Sequence, residues 1–289
     1  MNYTDKLGKA VKEVESVLCV GLDPSPELIP GELHKLYSEP VDLVEAFCKE
    51  AIDATSDYCC AYKPNLAFFE ALGGEGLLLF ERLLKLIPPE KILIADAKRG
   101  DIGSTAGQYK KAYFDHFDTD AITLNPLMGF ETLDPFLQDE SKAVYSLVLT
   151  SNPGAEDLLN REFRDHQTLA EYIADQLKQK SETSKTHIGM VLGATKPSAL
   201  KSIMELHPTA SLLIPGIGSQ GGRPEDLRPV LSGHQGIPII TSSRSILYGT
   251  PRPDRKSSGP EAKSDWKSAI AGRAKKMKEE IRQITQRYV

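Results

Sequence analysis

Apolar residues in this chain come in short runs, separated by longer stretches in which they recur every three or four positions. The short runs predict buried strands near 17–23, 59–64, 91–97, 119–125, 143–150, 187–193, 210–215 and 237–242. Helical spacing falls between them, near 41–55, 76–87, 103–116, 166–179, 197–206 and 224–231. A last helix, about 264–288, puts Trp266, Ile270, Ala274, Met277, Ile281 and Ile284 on one face. It carries no motif that assigns it a role, and capping the barrel is the simplest one open to it. Eight strands, each followed by a helix, predict an α/β fold: a (β/α)₈ TIM barrel, one domain over 1–289. The rival doubly wound sheet usually carries a glycine-rich phosphate loop after its first strand. Here that turn reads Gly21-Leu22-Asp23-Pro24-Ser25-Pro26. The Pro-, Ser- and charge-rich stretch at about 250–263 is expected to be a mobile surface loop, and Asn152 to Gln167 a second long polar connection.

Composition narrows the class of partner. A net charge of -5 gives no reason to expect nucleic acid or an anionic membrane. No apolar stretch approaches the ~20 residues of a membrane span. Met1 to Ser16 is polar and charged, without a signal-peptide core, so the cytoplasm is the expected location. Cys19, Cys48, Cys59 and Cys60 lack metal-type spacing and are expected to be buried, reduced thiols; no metal site is expected.

The chemistry gathers at strand ends. Strand 3 runs Ile92-Leu93-Ile94-Ala95 into Asp96-Ala97-Lys98-Arg99-Gly100-Asp101. Alternation along a strand puts Asp96 and Lys98 on one face, with Asp101 just past the end. A salt-bridged strand end is the plainer explanation. Strand 1, however, ends at Asp23, and strand 2 ends Tyr62-Lys63-Pro64-Asn65. Consecutive barrel strands are neighbours, so Asp, Lys, Asp and Lys follow one another along one rim. Alternating signs keep the lysines protonated and the carboxylates ionised. A fixed ammonium can donate a proton, and a fixed carboxylate supplies an electrostatic field.

The ends of strands 7 and 8 carry the other signal. They read Pro215-Gly216-Ile217-Gly218-Ser219-Gln220-Gly221-Gly222 and Thr241-Ser242-Ser243-Arg244-Ser245. Loops there are the habitual phosphate site of this barrel, with glycines admitting an anion and Arg244 adding a charged fork. Strand 5 ends Thr150-Ser151-Asn152-Pro153-Gly154, where Ser151 offers a hydroxyl but a plain turn is the simpler explanation. No Ser-His-Asp or metal-histidine pattern is present in the sequence. The residues therefore point to a barrel enzyme with a phosphorylated substrate and a Lys/Asp network for carbanion chemistry, without an evident cofactor.

The run Asp96 to Ala106, Asp-Ala-Lys-Arg-Gly-Asp-Ile-Gly-Ser-Thr-Ala, resembles the signature of the orotidine 5'-phosphate decarboxylase family. Its Arg-Gly resembles the divergent, longer bacterial group. The likeness extends, in the family's order, to Gly21-Leu22-Asp23-Pro24, Tyr62-Lys63-Pro64-Asn65, Thr150 to Gly154, Pro215 to Gly218 and Ser243-Arg244. The resemblance implies a cofactor-free carboxy-lyase that turns orotidine 5'-monophosphate into uridine 5'-monophosphate and CO2 in pyrimidine biosynthesis. It implies that Asp96 faces the substrate carboxylate and that Lys98 protonates C6. Lys63 and Asp101 would hold Lys98, while Asp23 and Lys63 bind the ribose hydroxyls. Ser151 (or Thr150 beside it) would contact the pyrimidine. Pro215, Gly216, Gly218, Gln220, Ser243 and Arg244 would surround the phosphate. It also implies a homodimer in which Asp101, Ile102 and Thr105 complete the neighbour's site.

Two rivals remain at this point. Sugar-phosphate lyases of the same superfamily resemble the strand-3 pattern but use Mg²⁺, with an acidic ligand expected where Lys63 stands. A non-catalytic binder of phosphorylated nucleotides would keep the phosphate loops but have no use for Lys98 between two aspartates.

Overall fold

The computed structural model describes residues 1–195, 197–218, 221–249 and 265–289. Eight parallel strands close into a barrel: β1 (Leu18–Leu22), β2 (Ala61–Pro64), β3 (Ile92–Arg99), β4 (Ala121–Leu124), β5 (Ala143–Leu149), β6 (His187–Leu192), β7 (Ser211–Ile214) and β8 (Pro238–Ser242). Each pairs with its neighbours in sequence, and β8 returns to β1 through Leu18↔Ile240 to Val20↔Ser242. Almost every strand residue is buried, because helices cover the outer face and side chains fill the inner one. That explains why the strands read as continuous apolar runs. The expected (β/α)₈ barrel is thus the fold, with the strands where the pattern placed them.

The helices follow the same logic. Helix α1 (Tyr3–Val14) precedes β1, and α2 (Pro40–Thr55) follows it, burying Leu43, Val44, Phe47, Ala51 and Ile52 at helical spacing. The helix at Leu169–Ser181 opens with a reciprocal Thr168–Glu171 capping box. After β4 the chain forms only a 3₁₀ helix, Phe130–Phe136, with Pro135 inside it. The long polar connection contains a short antiparallel ribbon, Glu162–Arg164 with Gln167–Thr168.

Helix α1 lies across the amino ends of the strands. The Tyr3 hydroxyl is 3.0 Å from that of Tyr145, Lys6 pairs with Asp120 at 2.6 Å, and the Tyr3 ring stacks on His187. The last helix spans Trp266–Thr285. It does not cap an end. It packs beside α2 and the helix Pro224–Leu231, with Trp266 stacked on Phe47, and so completes the outer ring. The stretch about 250–263, expected to be mobile, lies outside the described residues. All four cysteines are free and buried, and burial pushes the Cys19 thiol up to about 12 and that of Cys59 to about 11. Among the described residues no helix is long and apolar enough to cross a membrane.

Candidate active site

Lys63 sits one residue before the end of β2, opposite Gly21 of β1. Pro64 ends the strand, and the Asn65 side chain caps the next turn by accepting the Ala67 N–H at 3.2 Å. Asn65 also bridges to Asp96, which locks the ends of β2 and β3 together. Asp96 Oδ2 accepts a hydrogen bond from Lys63 Nζ, and its Oδ1 accepts from Lys98 Nζ at 2.5 Å. One carboxylate therefore holds two ammonium groups. The Lys63 and Asp96 side chains are 6% and 9% exposed, whereas that of Lys98 is 48% exposed and open to the rim.

Burial opposes the Asp96 charge, but Lys63 and then Lys98 outweigh it and hold the carboxyl well below the usual carboxylate range. Burial likewise disfavours the Lys63 ammonium, which Asp96 and then Asp23 keep above the ordinary lysine value. Asp23 differs. Burial pushes its carboxyl up, against the pull of Lys63, and its Oδ1 is buried without a hydrogen bond. It is the member of the cluster with acceptor capacity to spare.

Asp96 and Lys98 meet as expected, but not by regular alternation. Ala95 pairs with Ile122 and Arg99 with Leu124, so β3 bulges between them, and Lys98 has a left-handed backbone with φ of +48°. Thr123 of β4 fills this step. Its hydroxyl accepts the Lys98 N–H at 2.9 Å and donates to Asp96 Oδ1 at 3.1 Å. The sequence reading missed Thr123, and a single threonine in an apolar strand carries no signal that would have found it.

The expected phosphate side divides. A Cβ on Gly21 would collide with the Ser243 hydroxyl, so the end of β1 lies directly against that loop. Gly218 has φ of +86°, and a Cβ there would meet Ser245, which joins the loops after β7 and β8. Its N–H donates inside the loop, to the Gly222 carbonyl at 2.8 Å, rather than outward. The Gly216 and Pro215 carbonyls also accept within this region, from Gly222 and Ala194. Arg244 is exposed and makes no ion pair among the described residues. Gln220 lies outside the described residues.

Ser151 stands at the end of β5, where its carbonyl accepts the Thr195 hydroxyl at 2.9 Å. Asp101 accepts the N–H of Ile102 at 2.8 Å and forms no ion pair with Lys98 among the described residues of this chain. Ile102 is 57% exposed, and Thr105 is exposed one helical turn on. The structure thus gathers Asp23, Lys63, Asp96 and Lys98, sets Ser243 beside them, and leaves Ile102 and Thr105 exposed with Asp101 half-buried before them.

This fold and site define a class of TIM-barrel proteins with a lysine–carboxylate cluster at the carboxyl ends of the early strands and a glycine-rich rim at the last two. The model of the orotidine 5'-phosphate decarboxylase / HUMPS family matches residues 16–255. The chain is 42% identical over 248 residues to an orotidine 5'-phosphate decarboxylase of Herpetosiphon aurantiacus, covering 86% of this chain and 90% of the relative. It is 39% identical over 280 residues to that of Porphyromonas gingivalis, covering 94% and 98%. It superposes on the solved OMP decarboxylase of Leishmania donovani with a TM-score of 0.77 at 31% identity, covering 98% of this chain and 99% of the other. The chain belongs to the orotidine 5'-phosphate decarboxylase / HUMPS family.

Proposed function

We propose that this protein converts orotidine 5'-monophosphate to uridine 5'-monophosphate and CO2, the carboxy-lyase step of pyrimidine biosynthesis, with its own side chains as the catalysts. The observation that carries the reading is the buried, ionised Asp96 holding Lys63 on one oxygen and the open Lys98 on the other. In the reaction the bond from C6 to the carboxylate breaks, and its electron pair stays on C6. A proton from Lys98 Nζ moves to that carbon, and the amine regains a proton from water. An ammonium fixed beforehand stabilises the developing negative charge without reorganisation. Asp96 keeps that ammonium charged and faces the departing carboxylate.

The other assignments follow position. Asp23, through its unpartnered Oδ1, and Lys63 take the ribose hydroxyls. Ser151 takes the pyrimidine. Arg244, with Gln220 and the Pro215, Gly216, Gly218 and Ser243 rim, takes the phosphate, whose binding energy positions the distant base. The protein acts as a homodimer in which Asp101, Ile102 and Thr105 reach the neighbouring site. The exposure of Ile102, and of Leu127 and Met128 on the adjoining loop, supports that reading. The reduced thiols suit the cytoplasm.

Lys63 counts against the Mg²⁺-dependent sugar-phosphate lyases, since an ammonium stands where a cation would need a carboxylate. The test is loss of orotidylate absorbance with purified protein in buffer containing EDTA. We expect turnover to survive EDTA, and Lys98→Ala to lose at least about 10³-fold in kcat while still binding the nucleotide product. Near-normal turnover by Lys98→Ala would remove Lys98 as the proton donor.

A further inference from the structure

The strand that carries Asp96 and Lys98 is irregular where it matters most. Between the pairs Ala95↔Ile122 and Arg99↔Leu124, three residues of β3 face the single residue Thr123 of β4. The surplus bulges the strand, and Lys98 absorbs the distortion by turning left-handed, a conformation that a long side chain seldom adopts. Strain of this kind persists only where the surroundings impose it.

Two side chains impose it from opposite faces. On the site face, Thr123 is 2% exposed. Its one hydroxyl takes the Lys98 backbone N–H and gives its own hydrogen to Asp96, so it ties the strained backbone to the carboxylate that grips Nζ. On the flank, the next residue, Arg99, is anchored three ways. Its guanidinium pairs with Glu70, its Nε–H donates to the Tyr113 hydroxyl at 3.2 Å, and the group lies 5.4 Å from the centre of the Tyr109 ring. Its carbonyl accepts the Asn125 N–H at 2.7 Å. The Thr123 hydroxyl is thus used in both directions, and the Arg99 guanidinium is engaged with Glu70, Tyr113 and Tyr109.

We propose that Thr123 and Arg99 are positioning residues, which clamp the bulge from inside and outside so that the Lys98 ammonium stands at one place beside Asp96. The proposal deepens the decarboxylase reading and rests on Lys98 being the proton donor in it. Lys98 is half exposed and its stem is flexible, so the salt bridge alone would leave the ammonium free to swing with its backbone. Fixing the backbone removes that freedom.

The experiment is steady-state decarboxylation of orotidine 5'-monophosphate by Thr123→Val, Thr123→Ser, Arg99→Met and Lys98→Ala, with a thermal melt of each. Val matches Thr in shape but has no hydroxyl. We expect Thr123→Val to lose about 10²-fold in kcat with KM within about twofold, because the reacting group is misplaced while ribose and phosphate contacts are untouched. Thr123→Ser should restore kcat to within about fivefold of the native enzyme. Arg99→Met should lose about 10-fold in kcat, and its effect should be less than additive with Thr123→Val, because both act on one backbone step. A Thr123→Val enzyme with native kcat beside an inactive Lys98→Ala overturns the clamp. So does a serine variant as impaired as the valine one, which would mark a packing effect. If Thr123→Val does not fold, Arg99→Met carries the test, and a native kcat there overturns the outer half. An active Lys98→Ala overturns the decarboxylation chemistry itself and the clamp with it.

Discussion

Asp96→Asn separates charge from shape at the centre of the site. Asparagine keeps the size of the side chain but leaves Lys63 buried without its closest counter-charge. Because the Lys63 and Asp96 side chains are 6% and 9% exposed, water screens their attraction little. Removing one partner of a buried pair costs about 3–5 kcal/mol. The Lys98 bridge, with its lysine 48% exposed, adds no more than about 1 kcal/mol. Asp23 stays near Lys63 and offsets part of the loss, so we expect about 3 kcal/mol less folding stability at pH 7. At roughly 2 °C per kcal/mol for a chain of this size, the Tm falls by about 6 °C. The pH dependence has a definite sign. The folded carboxyl of Asp96 lies well below its unfolded value near ~3.9, so its contribution is whole above that value and drains away as pH falls toward the folded one. The gap between native protein and Asp96→Asn should therefore be flat from pH 7 to about 4, and then narrow by about 1.4 kcal/mol per pH unit. Urea unfolding followed by the fluorescence of Trp266, the single tryptophan, measures it. A variant as stable as the native protein at pH 7, or a gap that stays constant on acidification, would refute the argument that the ionised Asp96 stabilises the fold by pairing Lys63.

Two further outcomes test the edges of the site. Arg244→Ala should lower kcat/KM for orotidine 5'-monophosphate by about 10²-fold or more, and for orotidine without phosphate far less; equal losses would place the phosphate elsewhere. If Asp101 crosses to the partner's site, mixing inactive Lys98→Ala with inactive Asp101→Asn and letting subunits exchange should restore about a quarter of native activity, because half the dimers then hold one intact site. A mixture that stays inactive, in conditions where exchange is shown by size and label, would confine Asp101 to its own chain.

The barrel was legible in the sequence because each strand is buried on both faces and so declares itself as an unbroken apolar run. The charged cluster was legible because consecutive strands of such a barrel are neighbours, so residues far apart in sequence share one rim. Helix α1 was legible too but unread: Tyr3, Leu7, Ala10, Val11 and Val14 step at helical spacing in a stretch considered only for its charge. The last helix shows a different limit. Its apolar face requires burial, yet the same face serves equally against a barrel end or against flanking helices, and the stripe alone does not say which. Thr123 lies beyond either signal. Side chains that act on a substrate stand out by chemical type at a strand end. One that holds them in place is defined by register, here a step between β3 and β4 in which one residue faces three. Alternation along a regular strand brought Asp96 and Lys98 together on paper, and the protein brings them together by breaking that alternation. The break leaves Lys98 in a conformation its own residue type disfavours, so the neighbours that sustain it must be stiff. A threonine satisfied on both sides and a guanidinium held at three points are stiff in that sense, which is why the placement of the Lys98 ammonium is as much a property of β4 and of the flanking helices as of the strand that carries it.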